Sequence, residues 1–240
     1  MKAFARTDIG KIRPINEDSF YLPAPGERFC AVADGMGGHN AGEIASAMAI
    51  QVFAEGMRKS GLSAEAAMKS AVEQANLAIY TAAQKTPAQR GMGTTFTAFC
   101  EEGGVAHIAH VGDSRAYLIR NGAIVRVTTD HTLVEEMVLK GMITLQEARV
   151  HPRRNYITRS LGTADHVEVD LLSIELCRGD LFLLCSDGLS GAVEERELLK
   201  CAICSKDYAQ RLEDMVSIAL KRGGHDNITA ILIACEEVCE

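Results

Sequence analysis

The chain has 240 residues, 47% of them hydrophobic and only 5% aromatic, and it carries a formal net charge of −7. An acidic chain without a basic block argues against a nucleic-acid partner, and no apolar run reaches the roughly 18 residues of a membrane span. The N-terminal residues also lack the apolar core of a signal peptide. These features predict a cytoplasmic protein with no nucleic-acid or membrane partner.

Two long helices are predicted first along the chain. Apolar residues at helical spacing cover residues 41–59, with Ile44, Met48 and Val52 on one face and Ala45, Ala49 and Phe53 beside them. Ser63 is the predicted N-cap of a second helix that continues to about residue 85. The predicted buried stripe of this second helix consists of Met68, Val72, Ala75 and Ile79.

Strands and short helices follow. Strands are predicted over residues 94–101, 105–111, 115–120 and 123–128, with a tight turn at Asn121-Gly122 between the last two. Further strands are expected around Val167, Val169 and Leu171, and over residues 181–185 and 228–234. Helices are expected over residues 133–140, after a capping box formed by Thr144 and Glu147, and from an N-cap at Asp207 to residue 221.

This order of elements predicts the fold class. Strand pairs joined by tight turns indicate antiparallel sheets, and helices that come in successive pairs indicate an α+β fold rather than a doubly wound parallel sheet. There is no linker, low-complexity segment or tandem repeat. Residues 1–240 are therefore expected to form a single domain.

The eight cysteines are scattered along the chain. Four of them lie in apolar, strand-like runs, where a thiol behaves as a small hydrophobic group; these are Cys30, Cys100, Cys185 and Cys235. The alternative to ordinary packing is a zinc site made by Cys201, Cys204, Cys235 and Cys239. Packing is favoured, because Cys201 and Cys204 lie in a helix-like stretch with no turn between them.

Four aspartates stand at the ends of strongly apolar runs. Asp34 and Asp187 each follow such a run and precede a glycine, Asp113 follows a third run, and Asp226 precedes the last one. In a packed sheet such ends can meet, and desolvated carboxylates would then repel one another unless a divalent cation neutralised them. Mg²⁺ and Mn²⁺ prefer oxygen ligands, and Gly35 would let the backbone approach an ion. For any one site, the alternative is an ordinary Asp-Gly turn.

A second polar cluster lies near the N-terminus. Arg13, Glu17 and Asp18 share one short segment, and the arginine guanidinium suits phosphate oxygens. The alternative is a solvated loop with an ion pair. Common nucleotide and hydrolase motifs are not found: the dinucleotide fingerprint fails at Asn40, and neither a P-loop nor a nucleophile elbow occurs.

Taken in order along the chain, these motifs resemble those of the metal-dependent protein phosphatase family (PPM, type two C), and most closely its compact bacterial members. The matching motifs are Thr7-Asp-Ile-Gly10, Arg13-x-x-Asn-Glu-Asp18, Ala33-Asp-Gly-Met-Gly-Gly-His39 with Gly42-Glu43, Gly93-Thr-Thr95, His110-Val-Gly-Asp-Ser-Arg115, Thr129-Asp-His131, Ser186-Asp-Gly188 and Asp226-Asn-Ile-Thr229.

The resemblance implies a four-layer α/β/β/α sandwich, in which two antiparallel sheets are flanked by antiparallel helix pairs. It also implies a protein Ser/Thr phosphatase that uses two Mn²⁺ or Mg²⁺ ions and a weaker third one. A hydroxide that bridges the two ions would attack phosphorus in line, without a phospho-enzyme. The expected partners are phosphoprotein substrates, including a Ser/Thr kinase. The expected assembly is a monomer.

The resemblance also implies a metal-binding role for individual residues. Asp34 would bridge the two ions, with the Gly35 carbonyl on one of them. Asp187 and Asp226 would complete the other site, and Asp113 with Asp187 would form the third. A further set is expected to hold metal-bound waters or to support the ligands: Glu17, Asp18, which could also approach an ion directly, and Asn227.

The remaining implied roles concern the substrate. Arg13 would bind the phosphate, and His39 is a candidate proton donor to the leaving alkoxide. Many eukaryotic members place His directly after Asp-Gly, whereas this chain has Met36 there, so a water on the third ion is the alternative donor. Residues 140–161 correspond to the family's flap, where Arg153 and Arg154 are predicted to contact the phosphopeptide. The alternative for these two arginines is a solvated surface.

Two other functions compete with an active protein phosphatase. One is a non-enzymatic relative that binds or scaffolds phosphoproteins, although such a protein would typically have lost a metal carboxylate and Asp34, Asp187 and Asp226 are all present. The other is a metal-dependent phosphatase that acts on small molecules. Hydrolysis of a phosphothreonine peptide with Mn²⁺, with EDTA and after Asp34→Asn distinguishes the three.

Overall fold

The computed structural model describes residues 1–37 and 41–235. The strands in this part of the chain are β1 (Lys2–Asp8), β2 (Asp18–Tyr21), β3 (Phe29–Met36), β4 (Gly93–Thr94), β5 (Phe96–Glu102), β6 (Val105–Val111), β7 (Arg115–Arg120), β8 (Ala123–Arg126), β9 (Asp170–Glu175), β10 (Leu181–Cys185) and β11 (Ile228–Ala234). The helices are α1 (Ala41–Lys59), α2 (Ala64–Lys85), α3 (Leu133–Leu139), α4 (Leu145–Val150), α5 (Asp187–Ser190), α6 (Glu195–Ala202) and α7 (Tyr208–Lys221).

The strands form two antiparallel sheets. The first has the order β1-β11-β10-β7-β8, and the second has the order β2-β3-β5-β6-β9, with the short β4 paired to β3. The N-terminal strand β1 therefore pairs with the last strand β11, with Lys2 opposite Ala234 and Asp8 opposite Ile228. This pairing joins the two ends of the described chain in one sheet.

Three apolar cores hold four layers together. Residues of both sheets, including Phe99 and Phe182 with ring centroids 4.9 Å apart, pack in the core between the sheets. A second core lies between α1, α2 and the second sheet, and a third lies between α6, α7 and the first sheet. The predicted α/β/β/α sandwich of the α+β class is confirmed.

In α1, the core contact falls on the row of small side chains. Ala45, Ala49 and Phe53 are fully buried, whereas Ile44 is exposed and Val52 is only partly buried. The small residues let the neighbouring helix approach closely: at Gly56, a Cβ would lie 2.8 Å from the Cβ of Ala71 in α2. Close helix packing, rather than side-chain hydrophobicity, therefore decides which face of α1 is buried.

Helix α2 begins and is buried as predicted, but its cap is different. Its stripe of Met68, Val72, Ala75 and Ile79 is buried. Ser63 occupies the N-cap position without a side-chain cap bond. Instead, the Ala64 backbone N–H donates to Glu102 Oε2 at the end of β5, at 3.0 Å. A side chain from the sheet thus satisfies the helix terminus that the local sequence assigned to serine.

Most predicted strands are observed. The bounds predicted for β6, β7, β10 and β11 are those of the structure, and Asn121 and Gly122 have the positive φ values, 52° and 74°, of the predicted hairpin turn. The strand predicted over residues 94–101 is divided, because Thr94 bridges Leu161 and pairs with Gly35 while β5 begins at Phe96. The strand expected around Val167 starts later, at Asp170, where pairing with β6 begins.

The described cysteines in apolar runs are buried, as predicted. Cys30, Cys100, Cys185 and Cys235 are all free and buried, and burial raises the pKa of the Cys185 thiol to about 12. Cys235 lies between the two sheets, whereas Cys201 packs against the core beneath α6 and α7. The zinc alternative needed these two residues together, and its fourth ligand, Cys239, lies outside the described residues.

None of the helices in residues 1–37 and 41–235 combines the length and apolarity that a bilayer crossing requires.

Candidate metal centre

Five strands and the segments beside them bring five aspartates together. Asp18 opens β2 and stands directly opposite Asp34 of β3 in the second sheet. Asp34 lies inside its strand rather than after its end, because β3 continues to Met36 by pairing with β4. Asp187 opens α5 and is separated from the end of β10 by Ser186, Asp226 precedes β11, and Asp113 follows β6. Both sheets therefore contribute carboxylates.

The five carboxylates interact strongly with one another. Burial, together with the charges of Asp187 and Asp226, raises the pKa of Asp18 to about 7. Burial also raises the pKa of Asp113 to about 8 and that of Asp187 to about 6, and each feels a neighbouring aspartate. The pKa of Asp34 lies well above its ordinary value because of burial and the four other aspartates. Such a cluster favours a positive partner or a shared proton.

Three oxygens of this cluster find no hydrogen-bond partner among the residues that the structure describes. These are the buried atoms Asp18 Oδ1, Asp113 Oδ1 and Asp187 Oδ1. An unsatisfied buried carboxylate oxygen is costly, and its occurrence three times in one cluster requires an explanation. Divalent cations with a preference for oxygen would satisfy all three. The donor set therefore fits Mg²⁺ or Mn²⁺.

The described side chains do not form a closed cage. In residues 1–37 and 41–235, no group of three or more His, Cys, Asp or Glu side chains is arranged so that it could hold a metal ion by itself. Mg²⁺ is ordinarily bound through one or two carboxylates and several waters. Backbone carbonyls and waters would thus supply the remaining ligands, and the Gly35 carbonyl is the predicted backbone ligand.

Glycine is required at Gly35 for steric reasons. A Cβ at this position would overlap the backbone carbonyl of Gly42 in α1 and would lie 2.6 Å from the Glu17 carbonyl oxygen. The Gly35 N–H donates to that same Glu17 carbonyl at 3.1 Å. Strand β3, the start of α1 and the segment before β2 therefore meet at the residue that follows Asp34.

Asn227, which follows Asp226, hydrogen-bonds the segment of residues 9–17 between β1 and β2. The turn that contains Asp226 and Asn227 is called the Asp226 turn below. The Asn227 amide Nδ2 donates to the carbonyl oxygens of Ile9 and Ile15, both at 2.9 Å. Its Oδ1 accepts the backbone N–H of Glu17, also at 2.9 Å. The side chain is buried, so these three bonds place Glu17 and Asp18 next to Asp226.

Arg13 lies at the rim of the carboxylate cluster. Its Nη2 donates to Asp226 Oδ2 at 2.8 Å, and its Nη1 lies 3.8 Å from Glu17 Oε2. The hydrogen bond to Asp226 raises the pKa of Arg13, while burial raises the pKa of Glu17. The Arg13 side chain is 45% exposed. A guanidinium has five N–H donors, so Arg13 keeps donors for a bound anion.

This combination of fold and site is found in a known family. Residues 14–233 match the family model described as Protein phosphatase 2C. The chain belongs to this family. The resemblance to the metal-dependent protein phosphatases that the motifs indicated is therefore confirmed.

Named relatives are bacterial. The chain is 41% identical over 229 residues to the "Serine/threonine protein phosphatase PstP" of Mycobacterium tuberculosis strain H37Rv; the match covers 95% of this chain but only 44% of that relative. It is 36% identical over 240 residues to the "Serine/threonine phosphatase stp" of Listeria monocytogenes strain EGD-e, covering 97% of this chain and 95% of the relative. The chain thus spans less than half the length of the mycobacterial relative and nearly all of the listerial one.

A solved structure of the family contains metal ions. The crystal structure of the catalytic domain of the phosphatase PstP in complex with two manganese ions superposes on this chain with a TM-score of 0.87 at 38% identity, covering 96% of each chain. This agreement over nearly the whole chain supports the family fold independently of the motifs.

Not all residues predicted for the site reach the cluster. Arg153 and Arg154 lie exposed after α4, and no hydrogen bond or ion pair in the described part of the chain links either guanidinium to the aspartates. The Arg153 backbone N–H donates to His151 Nδ1 at 3.1 Å, which shapes the loop locally. His39, the predicted proton donor, lies outside the described residues.

The sequence reasoning missed hydroxyl groups that support the aspartates. Ser186 Oγ donates to Asp18 Oδ2 at 2.8 Å and accepts the Thr229 backbone N–H at 3.0 Å. Thr95 Oγ1 accepts the backbone N–H of Asp34 at 2.9 Å. Their place in the sequence was the available signal, because Thr95 ends the motif Gly93-Thr-Thr95 and Ser186 directly precedes Asp187 in Ser186-Asp-Gly188.

A second feature that the sequence did not indicate is a cation, Arg115, which interacts with Asp113 and Asp187 of the cluster. Arg115 holds Asp130 through two donors, Nε to Oδ1 at 3.0 Å and Nη2 to Oδ2 at 2.6 Å. Burial raises the pKa values of Asp113 and Asp187, and the Arg115 charge partly offsets this rise. Arg115 therefore favours the ionised carboxylates that a cation requires. Nothing in the local sequence pairs Arg115 with Asp130.

Proposed function

We propose that this chain is a protein Ser/Thr phosphatase that hydrolyses phosphoserine and phosphothreonine with two Mn²⁺ or Mg²⁺ ions. The observation that carries the proposal is the group of five aspartates with three unsatisfied buried oxygens beside the Arg13 guanidinium. Membership of the protein phosphatase 2C family and the names of the bacterial relatives support it. The two manganese ions in the relative's catalytic domain support the choice of cofactor.

The proposed metal ligands are the five clustered aspartates. Asp34, with the Gly35 carbonyl, would hold both ions, and Asp187 and Asp226 would hold one of them. Asp18 would stand close to the same site, and Asp113 with Asp187 would hold a weaker third ion. When bound, the cations neutralise these carboxylates and lower the pKa of coordinated water from 15.7 to about 7.

The chain's own residues orient the phosphate and the ligands. Arg13 is proposed to turn its free N–H donors toward the phosphate oxygens, because its bond to Asp226 holds the guanidinium at the rim of the cluster. Asn227 and Glu17 keep that rim in place through the bonds that join residues 9–17 to the Asp226 turn. The leaving alkoxide needs a proton, for which His39 is proposed, with solvent beside Asp113 as the alternative source.

Phosphoproteins are the substrate class that this activity implies. We further propose that a Ser/Thr kinase is among the substrates, that the protein is a cytoplasmic monomer, and that residues 1–240 act as one domain. Within that domain, residues 140–161 are the proposed flap.

The proposed function is tested by following phosphate release from a phosphothreonine peptide with Mn²⁺ and again with EDTA. We expect turnover with Mn²⁺ and its loss in EDTA, because the aspartates alone cannot lower the pKa of the attacking water as bound cations do. No turnover under either condition would favour a phosphoprotein-binding scaffold. Much faster turnover of phosphorylated metabolites than of peptides would favour a small-molecule phosphatase.

The flap arginines give a separate prediction. The double substitution Arg153→Ala and Arg154→Ala is expected to lower kcat/KM for acidic phosphopeptides by about three- to tenfold through KM, because exposed charges act mainly on association and weak binding. Steady-state kinetics on several phosphopeptides measures the effect.

The matched control is Arg178→Ala. Arg178 is exposed in the turn before β10, at the opposite end of that strand from Asp187. Its substitution should leave the phosphopeptide rates as they are. If the double flap variant also keeps every phosphopeptide rate of the unaltered protein, the flap arginines do not contact the substrate.

A further inference from the structure

The loop between β1 and β2 is held rigidly against the Asp226 turn. The Asn227 side chain bonds both Ile9 and Ile15, and the Lys11 backbone N–H donates to the Gly224 carbonyl at 2.7 Å. Gly10 has a φ of +80°, and a Cβ there would overlap the Asp226 carbonyl. The backbone of residues 9–15 therefore has little freedom to move.

This rigid loop nevertheless presents apolar side chains to solvent. Ile12 is 65% exposed and Ile9 is 40% exposed, and Pro14 is exposed as well. Single exposed apolar residues are ordinary on protein surfaces. Here, however, three of them lie within six residues on a loop that forms part of the rim of the metal centre. We call Ile9, Ile12 and Pro14 the N-terminal ledge.

The ledge lies next to Arg13, the residue proposed to bind the substrate phosphate. Ile12 directly precedes Arg13, and consecutive Cα atoms lie about 3.8 Å apart. Arg13 is bonded to Asp226 at the cluster. A phosphorylated residue that reaches Arg13 therefore brings its neighbours in the peptide toward Ile12. The cationic residues on either side of Ile12, Lys11 and Arg13, favour a segment that carries phosphate.

We propose that the N-terminal ledge binds an apolar side chain adjacent to the phosphorylated Ser or Thr, so that the enzyme prefers phosphopeptides with such a neighbour. The inference rests on the proposed function and adds a substrate preference to it. Contact with the ledge removes apolar surface from water on both sides. Because the loop is already ordered, binding does not require the chain to lose further conformational freedom there.

The test compares two phosphothreonine peptides that differ only next to the phosphothreonine, one with Leu and one with Ser, in the presence of Mn²⁺. For the unaltered protein, kcat/KM is expected to be about tenfold higher for the Leu peptide, mainly through KM. In Ile12→Ser this ratio should fall to about one to two, whereas Ile12→Val should keep most of it. The control is Ile203→Ser, since Ile203 is 51% exposed just after α6; this variant should keep both the ratio and the rate.

The outcomes of this experiment separate the phosphatase activity from the substrate preference of the ledge. If the unaltered protein hydrolyses neither peptide, the proposed function fails. If it hydrolyses both but shows no preference, or if Ile12→Ser keeps the tenfold ratio, the ledge does not select the substrate and the inference is overturned while the phosphatase assignment stands.

Discussion

Replacing Asp34 by Asn is expected to lower kcat/KM toward a phosphothreonine peptide by about 1,000-fold or more in saturating Mn²⁺. Asp34 interacts with all four of the other aspartates, and it is the proposed bridge between the ions. An amide keeps the shape of the side chain but removes the charge that holds two cations together. Losses of this order are typical when one group that stabilises transition-state charge is removed.

The same substitution should not unfold the protein. Removing one of several mutually repelling buried carboxylates is expected to leave the Tm in EDTA unchanged or higher, and isothermal titration with Mn²⁺ should show loss of tight binding. Asp165→Asn, a change at an exposed acid outside the cluster, is the control for net charge. Activity of Asp34→Asn within tenfold of the unaltered protein would exclude Asp34 as the bridging ligand.

The second large effect is on the pH dependence of stability in EDTA. The folded pKa values of Asp187, Asp18 and Asp113 are about 6, about 7 and about 8, all above the ordinary value of 3.8. The folded chain therefore binds these protons more tightly than the unfolded chain. The resulting stabilisation is fully present below about pH 3.8, declines as the pH rises above that value, and is lost once the pH has passed the folded pKa values of about 6, about 7 and about 8. The free energy of unfolding should thus fall by several kcal/mol between pH 5 and pH 8, on the order of 10 °C in Tm.

Manganese should counteract the loss of stability between pH 5 and pH 8. Mn²⁺ binds the ionised carboxylates and displaces their protons, so the increase in Tm caused by Mn²⁺ should be larger at pH 8 than at pH 5. Thermal unfolding at both pH values, with EDTA and with Mn²⁺, measures the two effects. Asp18→Asn should flatten the profile in EDTA, and Asp165→Asn should not. A Tm in EDTA that rises from pH 5 to pH 8 would mean that these aspartates are not buried as a repelling cluster.

Local sequence signals predicted those elements whose bounds depend on their own residues. The bounds of β6, β7, β10 and β11 follow from short apolar runs between turn residues. Helix α7 follows from its cap, in which Asp207 accepts the Gln210 N–H at 2.8 Å. The turn at Asn121-Gly122 follows from the tolerance of these two residues for positive φ. In each case the physical cause lies within a few residues.

Elements that depend on distant partners were placed less well. Strand β1 was not predicted, because its order comes from pairing with β11 at the other end of the chain. The start of β9 is decided by where β6 can pair with it. The buried face of α1 is decided by how closely α2 can approach it at Gly56. Propensity and periodicity carry no information about such contacts.

For the site, acids at the ends of apolar runs predicted a cation-binding cluster, and the order of the motifs predicted the family. The acids, the apolar runs beside them and the order of the motifs are all present in the sequence. The sequence by itself therefore determined the family and the fold class, and it predicted the cation site. Only the tertiary structure decided which carboxylate oxygens remain without a hydrogen-bond partner. It also decided that Asn227 hydrogen-bonds the segment of residues 9–17 next to Asp226, and that Arg115, which binds Asp130, lies close enough to the aspartates to stabilise their charge. These features depend on residues such as Arg13 and Asp226, which are 213 positions apart and meet because β1 pairs with β11 in the first sheet.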